Sequence, residues 1–375
     1  MPNQDKTALV ISGGTARGAY AAGLVHELFK DHPGLGPKVN LISGTSTGSL
    51  IAPMLSLYLL QPEKNRELLD RIVEHYQVDS TKVFRDEPRT CLWSTAARLA
   101  RLKLDAQTAR MGAMLAETGA VLDTAPLRAI VDGQLTDQVL APLFVPGCPL
   151  ECIVNCVSAQ TGGVVAFSSA APGMNAAVFR DAVYASCLQP IFMPLQPIVS
   201  PATGKREEFM DGGVRDVVPA YSAWRAGATR MLLIALSHAG DGEHREEGPF
   251  SGREHLLDLL QRVVLGLLDQ EVQDDDLLQA RYLATIGKLV AFARGKGATD
   301  ELLEKELLAE LAGEERSHFL GPFFLRDLLV HRPADDVPLE ETFRWDAKGM
   351  EKSIEAGREA ARGEAGRKMR AFLAA

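Results

Sequence analysis

The sequence predicts an α/β fold built on a mostly parallel sheet, and two stretches near its start carry that expectation. "TALVIS" (Thr7–Ser12) is a short apolar run closed by the glycine-rich "GGTARG" and followed by "AYAAGLVHELFKD", whose apolar residues recur at helical spacing. "VNLISG" and then "TSTGSLIAPMLSLYLL" repeat the scheme. Two strand–loop–helix units in succession argue for parallel strands joined by crossover helices. The chain of 375 residues, 46% hydrophobic and 24% charged, is long and apolar enough to bury a large core around such a sheet.

The remaining elements follow in order. Residues 63–130 are mainly helical, with charges along one side in "EKNRELLDRIVEHY" and "RLKLDAQTARMGAMLAE". "LECIVNCVSA", a "QTGG" turn and "VVAFSS" form a strand pair joined by a hairpin. "AAVFRDAVYASC" is a helix running into the proline-rich "QPIFMPLQP". A second hairpin in "PIVSPATGKREEFMDGG", with its turn at "ATGK", delivers Asp211 at a strand end. Pro219 opens another helix, and "RMLLIAL" is a strand. Residues 240–253 are polar and glycine-rich, hence a loop. From 254 to 316 the apolar spacing is helical. "DLLVHRP" is a last strand, and "AKGMEKSIEAGREAARGEAGRKMRAFL" a charged C-terminal helix.

The net charge of −9 argues against a nucleic-acid-binding face. "MPNQDKTALVIS" has no basic stretch followed by a long apolar one, so no signal peptide is expected. "SLIAPMLSLYLL" falls short of the roughly 18 apolar residues of a membrane span and reads as a buried helix. Five cysteines, an odd number, point with the missing signal to a reducing, cytoplasmic setting. Cys148, Cys152 and Cys156 recur every four residues, but Cys152 and Cys156 share one strand face, where small buried thiols suit a core better than a metal. No metal site and no cofactor are expected; without a D-x-D-x-D-G loop, no calcium requirement is expected either.

Three short motifs carry chemistry. In "GTSTG", Ser46 lies between Gly44 and Gly48, with an apolar strand before and a helix after. G-x-S-x-G places a serine on a sharp strand-to-helix turn, where the positive helix end favours an oxyanion. A serine or threonine there can equally be a plain helix cap, and the pentapeptide alone leaves both readings open. "SGGTARG" presents free backbone N–H groups. It does not fit a dinucleotide cradle, because Gly13, Gly14 and Gly18 do not make G-x-G-x-x-G and no tyrosine has lysine four residues on. An oxyanion hole is the other use of such a loop. "DGGVRD" puts Asp211 where backbones approach closely, although a turn without chemistry has the same composition.

Together and in this order, "GGTARGAYAAGLVHEL", "GTSTG" and "DGGVRDVVP" resemble the patatin-like phospholipase family, and "ASCLQPIFMPL" (Ala185–Leu195) adds to the match. The resemblance covers Thr7 to about residue 237 and resumes at "DLLVHRP" and "EKSIEAGREAAR". It implies a three-layer fold with a central, mostly parallel sheet flanked by helices, plus a C-terminal helical elaboration. The expected organisation is one domain, 1–375, with a core of about 7–237 and 326–362 and a helical insertion or lid at 254–316.

The resemblance also implies a lipid acyl hydrolase of phospholipase A or lysophospholipase type, with a Ser46–Asp211 dyad and an acyl-enzyme. Gly13, Gly14 and Thr15 would form the oxyanion hole, and Arg17, Gly18, Gly44, Gly48, Gly212 and Gly213 would support the motifs. Arg17 is expected to pin its loop rather than touch substrate. A lipid or lysolipid is the implied partner, with peripheral membrane contact allowed and no nucleic acid. Thr15 departs from the pattern, since family members usually carry glycine there. A β-branched residue does not reach positive φ cheaply, so either the loop is ordinary at that point or the hole is altered. Two rivals stand beside the dyad: a Ser-Asp-His esterase of α/β-hydrolase type with His238 as the best-placed base, and a weak relative that only binds lipid. His26 and His75 read as surface or core-edge residues.

Overall fold

The structure, a computed structural model, describes residues 5–78, 80–84, 122–190, 192–201, 203–238, 269–311, 313–321, 324–334, 337 and 346–375. Expectations for 85–121, the 240–253 loop and the start of the 254–316 segment lie outside these residues.

A sheet of eight strands organises the chain: β1 (Thr7–Ile11), β2 (Leu41–Thr45), β3 (Glu151–Ser158), β4 (Val164–Ser168), β5 (Gln196–Val199), β6 (Arg206–Asp211), β7 (Arg230–Ile234) and β8 (Asp327–His331). The order is β5-β6-β3-β2-β1-β7-β8, with β4 paired to β3. The contacts β3-β2-β1-β7-β8 are parallel, and β4, β6 and β5 add an antiparallel flank.

Strand alternation builds both layers of core. Leu9 and Ile11 of β1 and Leu232 and Ile234 of β7 enter one apolar cluster; Ala8, Val10, Met231 and Leu233 enter the other. A strand buried on both faces needs no polar alternation, which is why "ALVI" and "MLLI" are continuous apolar runs. Cys152 and Cys156 lie with Val154 on one face of β3, fully buried in the first cluster. Helices α1 (Gly18–Lys30), α2 (Thr47–Leu60) and α3 (Arg66–Glu74) cover that face, together with the helix Ala347–Arg362. The helices Ala220–Arg225, Asp269–Gly295, Asp300–Glu306 and Gly313–Leu320 cover the other. The fold is therefore mixed α/β, with a mostly parallel sheet between helices and further helices at the C-terminal end.

One helix boundary differs from the sequence reading. The expected single C-terminal helix is two, Ala347–Arg362 and Glu364–Ala374, because Gly363 between them takes an extended conformation (φ −74°, ψ −161°). The first of the pair crosses α1 so closely that a Cβ on Gly23 would lie 2.0 Å from Ile354 O, and one on Gly357 would lie 2.1 Å from Tyr20 O. Among the described residues no helix is long and apolar enough to cross a membrane.

Candidate active site

The parallel strands β1 and β2 end at Ile11 and Thr45, and the two glycine motifs occupy the turns that follow them. Carboxyl ends of parallel strands are where open α/β sheets place their ligands. Ser46 connects β2 to α2 at φ +54°, ψ −123°. Its side chain makes no cap hydrogen bond to the helix, which removes the plain-cap reading. The strained turn is held from below. Ser46 N donates to Ser186 Oγ (2.9 Å), Ser186 Oγ donates to Asn155 O (2.6 Å), and Ser49 N and Oγ both donate to Ser46 O (2.8 and 2.6 Å). The flanking glycines are steric requirements: a Cβ on Gly44 would lie 2.4 Å from Gly48 O, and one on Gly48 would lie 2.2 Å from Ile11 O.

Register explains how Asp211 reaches this turn. β4 takes one edge of β3 along Ile153–Val157, so β2 and β6 must share the other edge. Thr45 pairs with Asn155 and Asp211 with the next residue, Cys156. The outgoing end of β2 and the terminal residue of antiparallel β6 therefore meet head to head. The close approach shows at Gly212, where a Cβ would lie 2.5 Å from Asn155 O and 3.0 Å from Thr45 Cγ2. Asp211 is fully buried, and its Oδ1 accepts from Gly213 N at 2.7 Å.

The third motif stands against the other two. A Cβ on Gly13 would be 3.2 Å from Ser46 Cβ, and one on Gly18 would lie 1.9 Å from Thr47 Oγ1. Arg17 is buried, and its guanidinium donates to Leu236 O at 3.2 Å, tying the loop to the chain beyond β7. The Gly13 N–H, expected among the oxyanion donors, is already committed to Val217 O at 2.8 Å. Among the described residues no acceptor is paired with the N–H groups of Gly14 and Thr15. Those two remain as the available donors of the loop.

Ser46, Asp211 and Thr15 line one pocket of about 90 Å³. Its other walls are largely apolar: Leu50, Tyr76, Val83, Phe84, Leu127, Ile130, Met193 and Met350. A small polar floor under an apolar chamber suits an ester whose acyl part is hydrocarbon.

Comparison with known proteins agrees with this geometry. The family model described as patatin-like phospholipase matches residues 9–224, more than half of the chain. The chain belongs to the patatin-like phospholipase family. Among solved structures, VipD from Legionella pneumophila aligns at 12% identity with a TM-score of 0.38, over 96% of this chain and 66% of that one. No curated protein matches.

Within this patatin-like domain, Thr15 and Ser46 are the non-glycine residues at positive φ among the described residues, at +50° and +54°. The loop at Thr15 is therefore not ordinary: threonine occupies a conformation that favours glycine. Left-handed backbone costs an L-residue about 1–2 kcal/mol, against roughly 0.5–1 kcal/mol of added chain entropy for glycine. Thr15→Gly is expected to stabilise the fold by up to about 1 kcal/mol, read as a rise in Tm. A fall of the same size would show that threonine's packing in the pocket outweighs its strain.

The histidines separate cleanly. His238 hydrogen-bonds Val337 O at 3.0 Å and does not line the Ser46 pocket. His75 is a half-buried core-edge residue that also lines the pocket wall, and burial pushes its pKa down to about 4. His244 and His255 lie outside the described residues.

Two features of the site escaped the sequence reading. The first is the polar support under the elbow. Fully buried Asn155 donates to Ser43 Oγ (3.2 Å) and Gly44 O (3.3 Å) and accepts from Ser222 Oγ (2.5 Å). A polar residue inside the apolar run "CIVNCV" was its only sequence signal. The second is a buried carboxylate pair just past the Asp211 loop. Asp276, from the helix Asp269–Gly295, accepts from Val218 N at 2.8 Å. Burial first, and the charge of Asp216 second, push Asp276 up to about 8, and burial pushes Asp216 up to about 7. In the unfolded chain both ionise near pH 3.9. Between that pH and about 7–8 the folded protein holds more protons than the unfolded chain, so stability falls as pH rises through this window. Asp276→Asn keeps an acceptor for Val218 N–H and is expected to flatten that fall, measured as denaturation midpoints between about pH 5 and about pH 8.

Proposed function

We propose that the protein is a serine-dependent lipid acyl hydrolase of phospholipase A or lysophospholipase type, working through Ser46 and Asp211. The observation that carries this reading is Ser46 on a positive-φ elbow, sharing one apolar pocket with buried Asp211. Ser46 Oγ attacks the ester carbonyl while its proton passes to the Asp211 carboxylate. The N–H groups of Gly14 and Thr15 hold the oxyanion. Collapse of the tetrahedral intermediate expels the alcohol, which takes the proton from Asp211. Water then attacks the acyl-enzyme, gives a proton to Asp211, and the fatty acid leaves as Ser46 regains its hydroxyl. We read the whole chain as one domain, supported by β8 completing the sheet from beyond residue 326. The helices 269–320 cover the second face of that sheet rather than the pocket.

The distinguishing experiment concerns histidine. His238→Ala and His75→Phe are expected to keep ester turnover within about three-fold, with no limb in the pH–rate profile near about pH 6.5. A collapse of about 100-fold or more in a folded His variant would replace the dyad by a triad. Activity is expected to survive excess EDTA.

A further inference from the structure

The long helix Asp269–Gly295 has two unlike faces. Leu277, Ala280, Leu283, Ala284 and Val290 are buried in the second core cluster, and Gly287 presses so closely on the chain that a Cβ would meet Leu325 O at 1.8 Å. The opposite face carries large apolar side chains in water: Leu278 48%, Tyr282 60%, Leu289 46% and Phe292 66% exposed. At about 100° per residue these four, with Thr285 between them, fall within an arc of roughly 80° and run about 21 Å along the axis. Their spacing of four, seven and three residues is that of a coiled-coil seam. Isolated exposed apolar residues are ordinary, but an aligned row of this length marks a contact surface.

Charge identifies the occupant. The exposed groups at the start of this face are acidic: Glu271, Asp274 and Asp275, with Asp274 3.5 Å from Arg332. Those flanking the row further along are basic: Arg281 and Lys288, with Lys296 just past the helix end, its ammonium 5.7 Å from the Phe292 ring. A face acidic at one end and basic at the other complements itself when two copies pack antiparallel. An alignment centred between Tyr282 and Thr285 places Leu278 opposite Leu289 and Glu271 opposite Lys296. An anionic lipid surface would instead favour basic residues along the whole face, and the chain as a whole carries −9. We infer that this face joins two copies of the chain in an antiparallel, two-fold helix pair.

Sedimentation velocity on the full chain across roughly 1–100 μM tests this. The wild type is expected to dimerise in that range. Tyr282→Asp with Phe292→Asp should weaken the dimer at least about 100-fold, while Tm read below about 1 μM, where dimerisation no longer contributes, stays unchanged because both side chains are exposed. Glu271→Lys and Lys296→Glu should each weaken it several-fold, and the double reversal should restore it. A wild type that stays monomeric overturns the inference, whether or not it then pelts out with anionic phospholipid vesicles. So does a dimer that survives the double aspartate variant, or a Tm that drops in that variant even below about 1 μM, since the face would then be covered from within the chain.

Discussion

Replacement of Ser46 by alanine is expected to reduce ester hydrolysis by at least about 1,000-fold with little change in folding. The hydroxyl is the group that forms the acyl-enzyme in the proposed mechanism, and it makes no cap hydrogen bond whose loss would disturb α2. Alanine keeps the φ +54° strain, so Tm should move little. Asp211→Asn should give a comparable loss, because an amide cannot take the proton, while its oxygen still accepts from Gly213 N–H. If the two residues act as one unit, the double variant should be scarcely worse than either single one. A fluorophosphonate should label the wild type on Ser46 and leave Ser46→Ala unlabelled. Full turnover by folded Ser46→Ala, or no adduct in the wild type, would remove the hydrolase reading in favour of a lipid-binding relative.

The second large effect is expected at Gly48. Alanine there would bring its Cβ within 2.2 Å of Ile11 O and 2.9 Å of Ser12 O, both backbone atoms of the β1 end. Neither can swing aside as a side chain would. The strand and α2 must separate instead, at a cost of about 3 kcal/mol or more by analogy with overpacked cores. The same separation moves the glycine loop away from Ser46, so stability and turnover should fall together. A Gly48→Ala protein with wild-type Tm would mean that this close packing is not part of the stable fold. Thr15→Gly provides the contrast: there the side chain is removed from a position where the backbone favours glycine, and stability should rise.

Legibility followed the range of the interaction. Apolar periodicity fixed β1, β2, α1 and α2, because these elements are determined by burial of their own residues. Cys152 and Cys156 were assigned to one strand face from the period-two rule, and they occupy one core cluster. The single C-terminal helix was misread, since the pattern of apolar and charged residues continues across Gly363 while the backbone does not. His75 reads as a surface or core-edge residue and is half-buried, but only packing shows that this end of its helix lines the pocket.

Each motif alone left a bland reading open; it is the three in order, through their resemblance to the family, that singled out Ser46, Asp211 and the glycine loop. What they could not decide depended on residues far apart in sequence. Only the register of β2 and β6 on the shared edge of β3 brings Asp211 to the end of Thr45. Only the Val217 carbonyl shows that Gly13's N–H is spoken for, leaving Gly14 and Thr15. The sign of φ at Thr15 was equally undecided, since a local propensity argues against +50° and the surrounding loop imposes it. Sequence pattern reports the local preference of each residue; the partner of a backbone hydrogen bond, and the strain a residue is made to bear, are set by the tertiary contacts around it.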